Sequence, residues 1–260
     1  MWHALIAFSK YCLKAKSKHR IHSPFVYNLI TKALEKPIEK KNLNKYFNYK
    51  KDLLADDDII EATDFGTGSK TFKSNKRNVS QITKKTEISL KKTKLLLKLS
   101  SYFKPKNILE LGTSLGLDTT ALNIGAPTAK ITTIESCKNT SEKAKFHLTK
   151  HQFKNIEIQT GSFDVLLPKV LKQQKFDLIY FNGNPQKNAT FGYFMNSLQS
   201  VHNDTLCIFD AIHREKEMEE AWEYIKKHPK TKVSIDLFDI GLVFFRKEQV
   251  KQDFIIKLKK

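Results

Sequence analysis

A chain of 260 residues, 40% of them hydrophobic, can bury one large core, whereas two full domains would be tight. No apolar run approaches the roughly 20 residues that span a bilayer, so we expect no membrane insertion. The net charge of +19 is nearly all lysine, and diffuse lysine is more typical of a solvated surface than of nucleic-acid binding, which relies on arginine's planar fork.

The cysteines, Cys12, Cys137 and Cys207, are odd in number and widely spaced. This pattern indicates reduced thiols and a cytoplasmic location. No Cys-x-x-Cys pair or histidine cluster has the spacing of a zinc site.

Residues 1–104 have mainly helical periodicity, and we expect them to form a helical extension or lid before a ligand-binding domain at residues 105–260. The first predicted helix is amphipathic and runs from Trp2 to about Lys16. Ser23-Pro24 then predicts a break between helices.

Four polar or aromatic side chains cluster near this break: His19, Arg20, His22 and Tyr27. They form either a lid that contacts an acidic acceptor or a structural helix junction. We favour the junction.

A polar stretch, residues 56–85, contains the segment Asp64-Phe-Gly-Thr-Gly-Ser69. Two glycines with Thr and Ser suit either a second ligand loop or a turn between helices. The absence of a clear preceding strand favours the turn.

From Asn107 onward, short apolar runs alternate with helical patterns, which predicts an α/β fold. Predicted strands lie near 107–113, 130–136, 156–160, 176–182, 205–211, 231–238 and 241–247. Predicted helices lie near 115–124, 139–152, 163–173, 188–201 and 215–228. Only Asp239 and Ile240 join the last two strands, so these strands pair as an antiparallel hairpin or are separated by another strand.

The segment Ile108-Leu-Glu-Leu-Gly-Thr-Ser-Leu-Gly116 predicts a strand that runs into a ligand-binding turn. Gly112 and Gly116 allow the backbone to turn and to approach a ligand closely. A dinucleotide fingerprint would be G-x-G-x-x-G, and the acidic Glu110 would repel a pyrophosphate. S-adenosylmethionine carries an ammonium, a sulfonium and no phosphate, so it suits this turn better.

Glu135 ends the next predicted strand. A carboxylate at this place accepts the ribose hydroxyls in dinucleotide folds. The two acids together favour a nucleoside-cofactor site over an ordinary strand-turn-helix.

This order of elements resembles the class I S-adenosylmethionine-dependent methyltransferases, which have a Rossmann-like seven-stranded sheet. The motifs that resemble the catechol-type O-methyltransferases are residues 110–116, Phe176-Asp-Leu-Ile-Tyr-Phe-Asn-Gly-Asn-Pro185 and Ile208-Phe-Asp-Ala-Ile-His213. The segments 19–26, 64–69 and 218–222 are similar to a subgroup of the Bacteroidetes.

The resemblance implies that Glu110, Gly112 and Gly116 line the methionine side of the cofactor and that Glu135 holds its ribose. It also implies that Ser162 hydrogen-bonds the adenine while Phe163 stacks on it. Ser114 and Asn182 are further candidate cofactor residues. Asp164 is either a spare carboxylate of this site or a helix N-terminal acid that complements the helix dipole.

The metal site is where this chain departs from the catechol type, which holds a divalent cation with acids and an amide. Here the corresponding residues are Asn182, Asp210 and Ala211, and Pro185 stands where the subgroup has histidine. One carboxylate and one amide leave too little charge for a tight magnesium site. We therefore expect no metal.

Asp210 is the first candidate catalytic residue, because it ends a strand that faces the predicted cofactor cleft. Candidate bases for the acceptor are His213 and Lys187, and the lysine would need a lowered pKa. Alternatively, His213 is a polar cap before the helix at Glu215, and Lys187 is a solvated loop residue.

Three functions fit these residues, and small-molecule O-methylation is the favoured one. Nucleic-acid methylation fits the charge, but Asn184-Pro185 is followed by Gln186 and Lys187, which breaks the Asn-Pro-Pro-aromatic motif of amino-methylating enzymes. A protein that binds the cofactor without catalysis is the third, because the metal positions are changed.

Overall fold

The structure is a computed structural model that describes residues 2–62, 75–85, 89–182 and 187–258. The segment 64–69, interpreted as a turn or a second ligand loop, lies outside this range, as do Asn184 and Pro185. The chain divides into two compact units, Met1–Lys36 with Leu171–Lys260, and Pro37–Val170. The predicted division at residue 104 into a helical extension and a domain stays a prediction.

Helices and strands alternate along most of the described residues. The helices are α1 (Trp2–Lys14), α2 (Pro24–Leu29), α3 (Lys40–Leu54), α4 (Val79–Lys85), α5 (Leu90–Phe103), α6 (Leu117–Gly125), α7 (Lys138–Lys150), α8 (Phe163–Gln173), α9 (Lys187–Ser197) and α10 (Lys216–Lys227). The strands are β1 (Ile59–Glu61), β2 (Lys76–Asn78), β3 (Asn107–Leu111), β4 (Lys130–Glu135), β5 (Ile156–Thr160), β6 (Leu178–Phe181), β7 (Leu206–Asp210), β8 (Val233–Asp236), β9 (Ile240–Phe244) and β10 (Gln252–Ile255).

Eight of these strands make up a large mixed sheet, which confirms the predicted α/β class. In the unit Pro37–Val170, β3, β4 and β5 are parallel and follow one another in space. In the other unit the spatial order is β6, β7, β9, β8, β10, and β9 is antiparallel to both its neighbours. The predicted hairpin of the last two strands is therefore confirmed.

Burial explains why these segments form strands and helices. Every residue of β6 and of β9 is buried, as expected for continuous apolar runs in strands covered on both faces. Helix α10 buries residues at i, i+3, i+4 and i+7, namely Met218, Ala221, Trp222 and Ile225. A Cβ on Gly241 would lie 2.7 Å from the Trp222 ring, so the glycine permits close packing of helix on strand.

The seven predicted strands and five predicted helices after Asn107 are all present, but β10 was not predicted. Its sequence, Gln-Asp-Phe-Ile, begins with two exposed polar residues and lies at the sheet edge, so it lacks the apolar pattern of the other strands. The short strands β1 and β2, which form a separate antiparallel pair, were also missed, because three residues each are too few for a strand pattern.

The predicted break at Ser23-Pro24 is confirmed. Pro24 begins α2, and the Ser23 hydroxyl accepts a hydrogen bond from the Val26 N–H. This N-cap supports the interpretation as a structural junction. The alternative role of His19, Arg20, His22 and Tyr27 as a lid stays a prediction.

Candidate functional site

The turn after β3 has an unusual backbone. Gly112, Ser114 and Gly116 have φ values of 98°, 49° and 78°, all in the left-handed region. Glycine adopts these angles without penalty, whereas Ser114 does so at a cost of about 1–2 kcal/mol. Strained turns of this kind are concentrated at ligand sites.

Tyr49 of α3 is hydrogen-bonded to the backbone of this turn. Its buried hydroxyl donates to the Leu115 carbonyl over 2.7 Å, and burial raises the pKa of the phenol well above its usual range. The sequence did not point to Tyr49, because the contact joins residues that are far apart in the chain. It makes Tyr49 a positioning residue for the turn.

Gly116→Ala is expected to lower the free energy of unfolding by about 1–2 kcal/mol, the cost of a left-handed non-glycine residue. The added Cβ would also lie 2.8 Å from the Tyr49 hydroxyl. The matched control is Gly192→Ala within α9, where a Cβ meets nothing within 4 Å. That variant should gain about 0.5–1 kcal/mol from helix propensity. Denaturant unfolding measures both, and equal effects of the two substitutions would contradict the account.

Glu135 at the end of β4 fixes two loops at once. Its Oε2 accepts the Ser114 N–H over 2.8 Å, and its Oε1 accepts the Cys137 N–H over 3.0 Å. These two hydrogen bonds fix the orientation of the Glu135 carboxylate at the turn after β3. The structure thus brings together two of the predicted cofactor residues.

The loop after β5 lies at the same edge of the sheet as the end of β4. The Gly161 N–H donates to the Glu135 carbonyl over 2.9 Å, which places Ser162 and Phe163 next to the end of β4. Phe163 begins α8, and Asp164 is exposed in its first turn, where it complements the helix dipole.

The role expected of Glu110, lining the methionine side of the cofactor, stays a prediction. The side chain is fully buried, and its Oε2 accepts the Thr119 hydroxyl over 2.6 Å. Burial raises the pKa of Glu110 to about 8, although the Thr119 hydrogen bond opposes this shift. The hydrogen bond to Thr119 ties β3 to α6.

In the other unit, Asn182 and Asp210 lie at the carboxyl ends of neighbouring parallel strands. Phe181 of β6 is paired with Phe209 of β7, so the residues that follow them are adjacent in register. Both side chains are partly exposed. Ala211 has a φ of 54°, which is costly for a residue with a Cβ and marks a second strained position.

No group of three or more His, Cys, Asp or Glu side chains within the described ranges is arranged to hold a metal ion. Asn182 and Asp210 supply one amide and one carboxylate, which is a poor donor set for a magnesium ion.

His213 is held by a partner that sequence reasoning missed. Its Nε2 lies 2.7 Å from Oδ2 of Asp236 on β8, and its ring stacks on Phe238. The side chain is buried, and α10 begins after Glu215, so the interpretation of His213 as a helix cap is wrong. The hydrogen bond to a carboxylate fixes the orientation of the imidazole.

Lys187 is the first residue of α9 rather than a loop residue. Its Nζ lies 2.8 Å from Glu220 Oε2, and this hydrogen bond raises the pKa of the lysine. A base at neutral pH would need the opposite shift. We therefore assign Lys187 no role in proton transfer.

Residues 103–250 match the sequence model of a family described as a methyltransferase domain. No curated protein sequence matches the chain.

Three solved structures illustrate the likeness in fold. The O-methyltransferase from Bacillus cereus, in complex with SAH, is 18% identical with a TM-score of 0.55, over 84% of this chain and 96% of that one. The Podospora anserina methyltransferase PaMTH1 is 13% identical with a TM-score of 0.59, over 87% and 98%. The Streptomyces achromogenes O-methyltransferase TomG is 16% identical with a TM-score of 0.55, over 89% and 99%.

Proposed function

We propose that this chain, which belongs to the methyltransferase-domain family, transfers a methyl group from S-adenosylmethionine to a hydroxyl group of a small molecule. S-adenosylmethionine is its cofactor. Family membership supports the reaction class. The similar structures support the donor and the acceptor, because they include O-methyltransferases in complex with SAH or SAM.

The observation that carries the proposal is the turn after β3 with the carboxylate that holds it. The left-handed residues of the turn bring its backbone beside Glu135, which accepts the Ser114 N–H. An acidic residue at the end of this strand suits a cofactor whose ribose hydroxyls can donate to it.

We assign the binding of the methyl donor to residues of the unit Pro37–Val170. Gly112, Ser114 and Gly116 line the methionine portion of the cofactor, and Glu135 accepts hydrogen bonds from the ribose. The loop of Ser162 and Phe163 contacts the adenine. When bound, the cofactor supplies a methyl group that is attacked in line by the acceptor, so the protein's main tasks are alignment and deprotonation.

We assign the contact with the acceptor to Asp210, the last residue of β7, and to Asn182, which follows β6. Asp210 orients the acceptor hydroxyl and accepts its proton, and Asn182 provides a neutral hydrogen-bonding partner beside it. His213 is buried and hydrogen-bonded to Asp236 at 2.7 Å, and we assign it as a positioning residue for the end of β7.

The experiment is a screen for SAH production with phenolic and aliphatic hydroxyl acceptors, run with magnesium and with a chelator. The proposal expects turnover with at least one acceptor and equal rates in both conditions, because the donor set at Asn182 and Asp210 is weak. Loss of turnover with the chelator would show that these residues form a working metal site. Cofactor binding without turnover on any acceptor would favour a binding protein without catalysis.

A further inference from the structure

Helix α1 is apolar on two opposite faces. One face packs against the protein through Ala7 and Tyr11, which are 4% and 8% exposed. The other presents Trp2, Leu5, Ile6 and Leu13 to solvent, with exposures of 82%, 61%, 53% and 87%. The spacing of these four residues places them along a single stripe of the helix. We call this stripe the α1 apolar face.

The helix is fixed to its own unit, so this exposure does not come from a detached segment. The Tyr11 hydroxyl donates to the Ile256 carbonyl over 2.5 Å, and the Tyr11 ring lies 5.3 Å from the Phe238 ring. Just beyond the helix, the Lys16 N–H donates to the Ile255 carbonyl over 2.8 Å. The face of α1 with Ala7 and Tyr11 is therefore packed against its own unit. A partner of the α1 apolar face must be a different surface.

The chain segment that carries the α1 apolar face has basic residues and no acidic ones. Lys10, Lys14, Lys16 and Arg20 are all exposed on or just after the helix. Residues 1–34 contain no aspartate or glutamate. A contact with Glu219 of α10 involves His3, on a different side of the helix from the exposed stripe.

We propose that the α1 apolar face binds the surface of an anionic lipid bilayer, with the helix lying in the plane of the interface. Apolar side chains next to an excess of lysine are the two features that drive amphipathic helices onto acidic membranes. No helix of the described residues is long and apolar enough to cross a bilayer, so the helix lies on the membrane. A second copy of this chain fits less well, because each copy carries a net charge of +19.

The chain carries its own probe for this proposal. Its two tryptophans are Trp2, at the α1 apolar face, and Trp222, which is 1% exposed in the core. A change in tryptophan emission on adding vesicles therefore reports Trp2. The full chain is titrated with vesicles of phosphatidylglycerol or of phosphatidylcholine, and binding is checked by sedimentation. The expected result is a blue shift and co-sedimentation with phosphatidylglycerol, weakened by salt and much smaller with phosphatidylcholine.

The double substitution Leu5→Ser with Leu13→Ser tests the face without touching the probe or the packed side. It should weaken vesicle binding at least about tenfold, because two leucines lose their burial. Val250→Ser is the matched control, since Val250 is an apolar residue outside α1 that is 71% exposed. It should leave binding unchanged.

The proposal is overturned by no binding to phosphatidylglycerol vesicles or by equal losses in the two variants. A blue shift that grows with protein concentration without vesicles also overturns it, in favour of self-association. None of these measurements needs a methyl donor or acceptor, so failure here is distinct from failure of the proposed function.

Discussion

Glu135→Ala is expected to weaken S-adenosylmethionine binding at least tenfold and up to about a hundredfold, measured by calorimetric titration. Hydrogen bonds to a charged group contribute about 1.5–3 kcal/mol each, and a tenfold change corresponds to about 1.4 kcal/mol. The substitution removes the proposed ribose acceptor. It also releases the Ser114 N–H and the Cys137 N–H, which Glu135 holds at 2.8 and 3.0 Å.

Glu157→Ala is the matched control for this measurement. Glu157 lies on β5, the strand next to β4, and its carboxylate is half exposed and 3.5 Å from Lys130. Exposed pairs of this kind contribute little to stability, so the control should bind the cofactor as the wild type does. Equal affinity of the Glu135 variant and the wild type would remove the ribose assignment.

Glu110→Gln is expected to change how stability depends on pH. Burial raises the pKa of Glu110 to about 8 in the folded chain, compared with 4.5 when unperturbed. Between these values the folded chain keeps a proton that the unfolded chain releases. Wild-type stability from this group is therefore full below about pH 4.5 and is lost as the pH rises to about 8.

The size of this loss is at most about 1.4 kcal/mol for each pH unit in that window, or about 5 kcal/mol in total. Glutamine is neutral throughout and still offers an oxygen to the Thr119 hydroxyl. Thermal unfolding of the variant and the wild type at a series of pH values should give a difference that grows in favour of the variant from pH 5 to 8. Parallel curves would show that Glu110 is charged in the folded chain.

Much of the fold could be predicted because its signals are local. The strands after Asn107 are apolar runs bounded by helical patterns, and the glycines of the turn at Gly112 and Gly116 stand directly in the sequence. Edge strand β10 begins with two exposed polar residues, so no apolar run in the sequence indicates a strand there.

The site could be predicted less fully, because its details depend on contacts between distant residues. Glu110 lies in the almost wholly apolar run Ile-Leu-Glu-Leu, which does not show which sheet face its side chain takes. The structure directs it to Thr119 of α6. The Tyr49 contact with Leu115 and the Asp236 contact with His213 likewise join separate elements.

The direction in which the pKa of Lys187 is shifted could also not be predicted from the sequence. A lysine after a strand suits a base only if its surroundings lower its pKa, and the sequence does not place Glu220 beside it. The structure places the two at 2.8 Å, and the pKa moves in the other direction.

The measurement that tests the central claim most directly is calorimetric titration of the full chain with S-adenosylmethionine and S-adenosylhomocysteine, with and without magnesium. Our account predicts micromolar binding of both compounds, with the same affinity in the two conditions. If neither compound binds, with or without magnesium, the result would contradict the cofactor site after β3 and would indicate that the fold serves another purpose.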